Sequence, residues 1–76
     1  MNNKRRDVLK RALNLLENAS ELVNRVLDEE QDSLDNTPEN LMESDQYQKR
    51  ETAVDRLEEA IEQIEEAKNS VEAAAE

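Results

Sequence analysis

Residues 47–75, YQKRETAVDRLEEAIEQIEEAKNSVEAAA, repeat with a period of seven. Tyr47, Val54, Leu57, Ile61, Ile64, Val71 and Ala75 take the a and d positions of a heptad, the spacing at which one stripe of an α-helix meets a partner helix. Ala53, Ala60, Ala67 and Ala74 follow at g. Small side chains there let a second helix come close, although Ala is also the strongest helix former. Lys68 at an a position and Arg50 at a d position interrupt the stripe, and residues of this kind can set its register.

The segment before it is apolar over a broader arc. Leu9, Ala12, Leu16, Ala19, Val23 and Val26 form a stripe of alternating three- and four-residue steps. Val8, Leu15 and Leu22 run along one side of it, Leu13 and Leu27 along the other. A face this wide exceeds one two-stranded seam and calls for more than one neighbouring helix. Between the two segments, Thr37 is placed to N-cap a short helical turn with Pro38 at its first position, and Ser44-Asp45 offers a second helix start. The spacing predicts helices over about 4–31 and about 45–74, with a connector at 32–44. Each helix is then near thirty residues, roughly 45 Å. Matched lengths and a short connection give one domain over 1–76, an all-α antiparallel helical hairpin.

Such a hairpin is small. Chains of this length are marginal without a disulfide, a metal or a partner. The sequence therefore predicts self-association into a four-helix bundle, a homodimer. Its interface is expected to draw on Leu9, Leu13, Leu16, Val23, Val26, Val54, Leu57, Ile61, Ile64 and Val71.

Composition removes much chemistry. The 76 residues contain no Cys, His, Gly, Trp or Phe. Without Cys or His there is no thiolate or imidazole nucleophile, general base or metal ligand. Without Gly the phosphate-cradling loops of nucleotide enzymes are missing. No apolar run reaches the roughly 20 residues that span a bilayer, and no apolar signal segment follows the basic start. The expectation is a cytoplasmic protein with no membrane association, no cofactor and no enzymatic activity.

The net charge of −10 is unevenly spread. Residues 1–27 carry +3, residues 28–47 carry −8 with no positive charge, and residues 48–76 carry −5. Lys4, Arg5 and Arg6 open the first helix while Asp28, Glu29 and Glu30 close it, both against the helix macrodipole. Glu65, Glu66, Glu72 and Glu76 crowd the end of the second helix, and an antiparallel hairpin sets the basic start of the first beside that acidic finish, so charge is expected to choose chain orientation.

Carboxylates are the remaining source of chemistry. Asp28, Glu30, Asp32, Asn36 and Glu39 match five positions of a twelve-residue calcium loop, but Ser33 stands where the turn needs Gly and Asp35 where an apolar residue is needed. Glu59, Glu62 and Glu65 have Glu-x-x-Glu spacing, yet their heptad phase turns them to water or to the flank of the seam rather than into a bundle core. Five cations, Lys4, Arg5, Arg6, Lys10 and Arg11, face −13 over residues 28–76, which argues against direct nucleic-acid binding. A rod with carboxylates along it has the alternative of imitating nucleic acid and so inhibiting a host defence enzyme. A small-molecule or nucleotide pocket at a subunit interface is a further alternative.

Residues 29–41, EEQDSLDNTPENL, together with Tyr47 and the alanine-phased second helix, resemble small acidic proteins of phages and mobile elements of Gram-positive bacteria. The resemblance implies that setting and carries over no functional residue. A connector of about a dozen residues is longer than two helices need. Asp28, Glu29, Glu30, Asp32, Leu34, Asp35, Asn36, Leu41, Met42 and Tyr47 are therefore the candidates for holding a protein partner, although the apolar ones are expected first to cap the hairpin end.

Overall fold

In a computed structural model describing residues 1–76, the chain forms two α-helices, α1 (Asn3–Asp35) and α2 (Asp45–Ala75), joined through one 3-10 turn at Glu39–Leu41. Each helix starts on a side-chain cap. The Asn2 side-chain oxygen accepts the Arg5 backbone N–H at 2.8 Å, and Ser44 Oγ accepts that of Tyr47 at 3.2 Å. The second start expected at Ser44-Asp45 is the one the chain uses.

Helix α1 runs to Asp35, past the expected end near residue 31. Three side chains close the added turn. Gln31 donates to the Asp35 carboxylate at 3.1 Å, Asn36 to the Asp32 carbonyl at 2.8 Å and Thr37 to the Ser33 carbonyl at 2.9 Å. Exposed carboxylates in a last turn oppose the helix dipole by roughly 0.3–1 kcal/mol each. Burying Leu34 returns about 1.5–3 kcal/mol, and with the caps added it wins. Thr37 therefore finishes α1 instead of starting the next helix. Pro38 precedes the 3-10 turn, which has no side-chain cap. The connector contracts to residues 36–44.

The helices lie antiparallel in a rod of 59 × 15 × 12 Å. Cross-helix contacts ascend α1 as they descend α2: Arg6 with Ala75 and Glu76, Glu17 with Lys68, Ser33 with Arg50. Both residues that interrupt the α2 stripe thus reach across to α1. Arg6 Nε donates to the Ala75 carbonyl at 2.9 Å and Nη2 to that of Glu76 at 3.3 Å, so a cation closes the negative end of α2. The basic start of α1 does lie beside the acidic finish of α2.

The seam on α2 is the heptad read from the sequence. Tyr47, Val54, Leu57, Ile61, Ile64, Lys68, Val71 and Ala75 are buried or half-buried, while Arg50 is exposed. On α1 the seam runs through Arg6, Leu9, Leu13, Leu16, Ser20, Val23, Leu27, Glu30 and Leu34. This corrects the expected stripe. Ala12 and Ala19 stand at its edge and Val26 is exposed, because turning Leu13 and Leu27 inward buries more apolar surface than Ala12 and Val26 would. The alanine line on α2 is likewise outside the seam, with Ala53, Ala67 and Ala74 exposed. The buried core is slight: Leu34, Val54 and Ser20.

Lys68 is the charged member of the seam. Its ammonium binds Glu17 across the seam and stands 3.5 Å from Glu65 on its own helix. The hydrogen bond to Glu17, helped by attraction to both carboxylates, raises its pKa above the ordinary 10.5 against a smaller opposing effect of desolvation.

Two predictions follow from this packing. Leu34→Ala should cost about 2–4 kcal/mol in urea unfolding, a large share of what so small a chain holds, while Ser20→Ala should stay within about 1 kcal/mol. A loss below about 1 kcal/mol at Leu34 would show that this end does not anchor the hairpin. Lys68 binds its proton more tightly when folded, so its contribution is complete below the ordinary lysine pKa and fades as pH rises through the raised one. Unfolding midpoints measured from pH 8 to 12 should therefore fall more steeply for the natural chain than for Lys68→Met. Parallel curves would remove the ion pair from the stability of the seam.

Candidate functional site

The residues expected to hold a partner divide by the face of α1 on which they fall. Asp28, Glu29, Asp32 and Asp35 are exposed, whereas Glu30 is half-buried on the side turned to α2. Since the helix continues through Asp35, Asp28, Glu30 and Asp32 lie along a helix and do not fold into a loop. No group of three or more carboxylates comes close enough to hold a metal ion. Leu34 is buried within the hairpin and is removed from the set available to a partner. Asn36 is engaged with the Asp32 carbonyl.

Leu41 and Met42 behave differently. The 3-10 turn carries them over the end of the hairpin and leaves them 49% and 39% exposed. The turn itself is well tied: Leu41 N–H donates to the Pro38 carbonyl at 2.9 Å, and Ser44 Oγ donates to the Leu41 carbonyl at 2.8 Å. Leu41 shares a shallow depression with Thr37, Ser44, Gln46, Tyr47 and Arg50. Tyr47 is half-buried at the end of the seam, and Arg50 Nη1 donates to Ser33 Oγ at 3.0 Å. The tip is thus two exposed apolar side chains on a fixed turn, with acidic groups on either side.

Those acidic groups have no cationic partners. The ion pairs of the hairpin are Arg56–Glu59, Lys68–Glu17 and Lys68–Glu65, all outside residues 28–45. Asp32, Asp35, Glu39, Glu43 and Asp45 therefore present net negative charge around Leu41 and Met42.

Nine of the ten residues expected at a subunit interface are taken up inside the hairpin, since the same stripe serves the intrachain seam. Val26 alone faces outward. The apolar surface left over is on α1: Val8 is 48% exposed, Leu15 68%, Leu22 56% and Val26 46%. Val8, Leu15 and Leu22 were visible in the sequence as a side line seven residues apart, and this is the signal that marks them.

Comparison with protein-family models, curated proteins and solved structures finds no match for this chain. No helix is long and apolar enough to cross a membrane.

Since Leu41 and Met42 contribute little to the hairpin, Leu41→Ser with Met42→Ser should change unfolding free energy by less than about 1 kcal/mol. A larger loss in urea titration would make them packing residues of the hairpin end.

Proposed function

We propose that the protein acts by binding and not by catalysis, as a homodimeric helical hairpin that engages a protein partner through its connector end. The observation that carries the reading is the tip itself. Leu41 and Met42 are held out on a hydrogen-bonded turn, and the carboxylates around them lack ion pairs. Exposed apolar groups in a surround of net negative charge, with Arg50 the one cation beside Leu41, suit a partner with an apolar recess and a largely basic rim. The acidic groups steer the encounter and the apolar pair supplies contact area. The resemblance of residues 29–41 to small acidic proteins of phages and mobile elements supports the same role, that of an accessory protein directed at another protein.

Homodimerisation is part of this reading. Four large apolar side chains of α1 are about half or more exposed along one helix, more than a monomer of this size ordinarily leaves in a row. Two hairpins covering these faces would make a four-helix bundle.

The test uses the full chain as bait in a lysate of its native bacterial host, beside the Leu41→Ser, Met42→Ser double variant. The natural chain should retain a discrete basic protein that the variant loses, with circular dichroism unchanged and binding weakened by added salt. Equal retention by both chains would take the partner site away from the connector.

A further inference from the structure

The exposed apolar residues of α1 form a heptad of their own. Arg5, Ala12, Ala19 and Val26 are seven apart, and Met1, Val8, Leu15, Leu22 and Glu29 interleave with them at steps of three and four. This second stripe lies about 100° around the helix from the seam that meets α2. It is as regular as the first stripe; Ala12 and Ala19 are half-buried at the edge of that seam, while Val8, Leu15, Leu22 and Val26 are exposed. Helix α1 is therefore built to pack on two sides.

We propose that the second stripe is an α1–α1 seam between two copies of this chain, antiparallel, with Arg5 of each opposite Glu29 of the other. The proposal rests on the homodimer reading above and adds its face, direction and register. Direction follows from charge. A parallel pairing sets Arg5 on Arg5 and Glu29 on Glu29, whereas an antiparallel pairing sets each against its opposite.

Register follows from size and polarity. Antiparallel seams alternate the two kinds of stripe position across the interface, so alternative registers differ by a whole heptad. One of them pairs Arg5 with Glu29, Val8 with Val26, Ala12 with Leu22 and Leu15 with Ala19, and then repeats in reverse. Every apolar side chain meets an apolar one, and each alanine stands against a leucine, which keeps the helix separation even. A shift of one heptad one way drives Arg5 onto Leu22. The opposite shift drives Glu29 onto Ala12. Either would desolvate an unpaired charge. On the outer flank of the chosen register Lys4 comes beside Asp32. Arg11 comes beside Arg25, the one like-charge approach, and both are exposed and free to splay.

The α2 helix leaves room for this neighbour. In an antiparallel pair the g positions of the two helices lie on the same side of the hairpin. Ala12, Ala19 and Val26 are g residues of the α1–α2 seam, and Ala53, Ala60, Ala67 and Ala74 are those of α2. The Lys68–Glu17 pair bridges the opposite flank. An incoming helix thus meets the alanine line of α2 nearest the seam.

The test begins with sedimentation equilibrium of the full chain at tens of micromolar. A dimer is expected, and a single-chain mass would overturn both this proposal and the homodimer reading. Leu15→Asp should raise the dissociation constant at least 100-fold. Arg5→Glu and Glu29→Arg should each raise it about 10-fold or more, and the double variant should return it to within about threefold of the natural chain. A dimer that ignores Leu15→Asp, or a double variant no tighter than the single ones, overturns this seam while leaving the homodimer reading intact. Direction is read by disulfide formation, since the chain has no Cys of its own. Asn18→Cys lies next to its copy and should crosslink. Lys4→Cys should not, because antiparallel packing puts the two copies about 40 Å apart at 1.5 Å per residue. Efficient crosslinking at Lys4→Cys would overturn the antiparallel arrangement even if Leu15→Asp proves too unstable to measure.

Discussion

Two helices in contact share one seam, and a chain of two helices has only that seam in which to bury apolar surface. Every feature of this protein is shaped by that limit. Helix α2 carries one apolar stripe and spends it entirely on α1. Helix α1 carries two, of which α2 can cover only one. The slight core follows: a seam between two rods has no interior layer, so most of its residues keep part of their surface in water. Only Leu34 and Val54 are buried among the apolar residues, both towards the connector, where the chain reverses and closes the end of the seam.

A core of this kind holds its register by polar means as much as by packing. Half-buried aliphatic side chains of similar size would tolerate a slip of one heptad. Lys68 bound to Glu17, Arg50 on Ser33 and Arg6 on the carbonyls of Ala75 and Glu76 would not, since each would lose its acceptor. The three are spaced along the whole rod. The stability of any one exposed ion pair is small. Its value here is as a difference between registers, because the wrong register leaves a charge facing the apolar stripe of the other helix.

The hairpin, its direction and the α2 seam were legible in the sequence because they depend on strict period. Tyr47 to Ala75 admits one phase only. Segment α1 was less legible for the opposite reason. Its apolar arc is wide enough to hold two phases, one through Ala12, Ala19 and Val26 and the other through Leu13, Ser20 and Leu27. Periodicity does not rank them, and the deciding quantity is how much surface each buries against a particular neighbour. Buried Ser20, a polar residue in the winning phase, made the wrong phase look cleaner. The end of α1 was misplaced on similar grounds. Five acidic residues between 28 and 35 read as an unfavourable helix terminus, while the burial of Leu34 that outweighs them depends on a contact with α2 that the local sequence does not display. The tip was legible in part: Leu41 and Met42 stood outside any heptad, and the structure leaves them outside the seam.

Segregated charge ties these observations together. With 39% charged residues, an even mixture would have solvated the rod equally well and placed each cation near a carboxylate. Instead the cations gather at the start of α1 and the carboxylates at its end, an arrangement that works against the dipole of α1 at both termini. Within the hairpin only Arg6 gains from it, by closing α2. Lys4, Arg5, Lys10 and Arg11 at one end, and Asp28, Glu29, Asp32 and Asp35 at the other, stay exposed and outside any ion pair. Over a rod of 59 Å these two clusters are several Debye lengths apart at physiological salt, so they do not stabilise each other within one chain. They become complementary only when a second surface is laid along α1 in the reverse direction. In the dimer proposed above, the antiparallel α1 of a second copy would answer the unsatisfied dipole, the exposed stripe and the separated charges together.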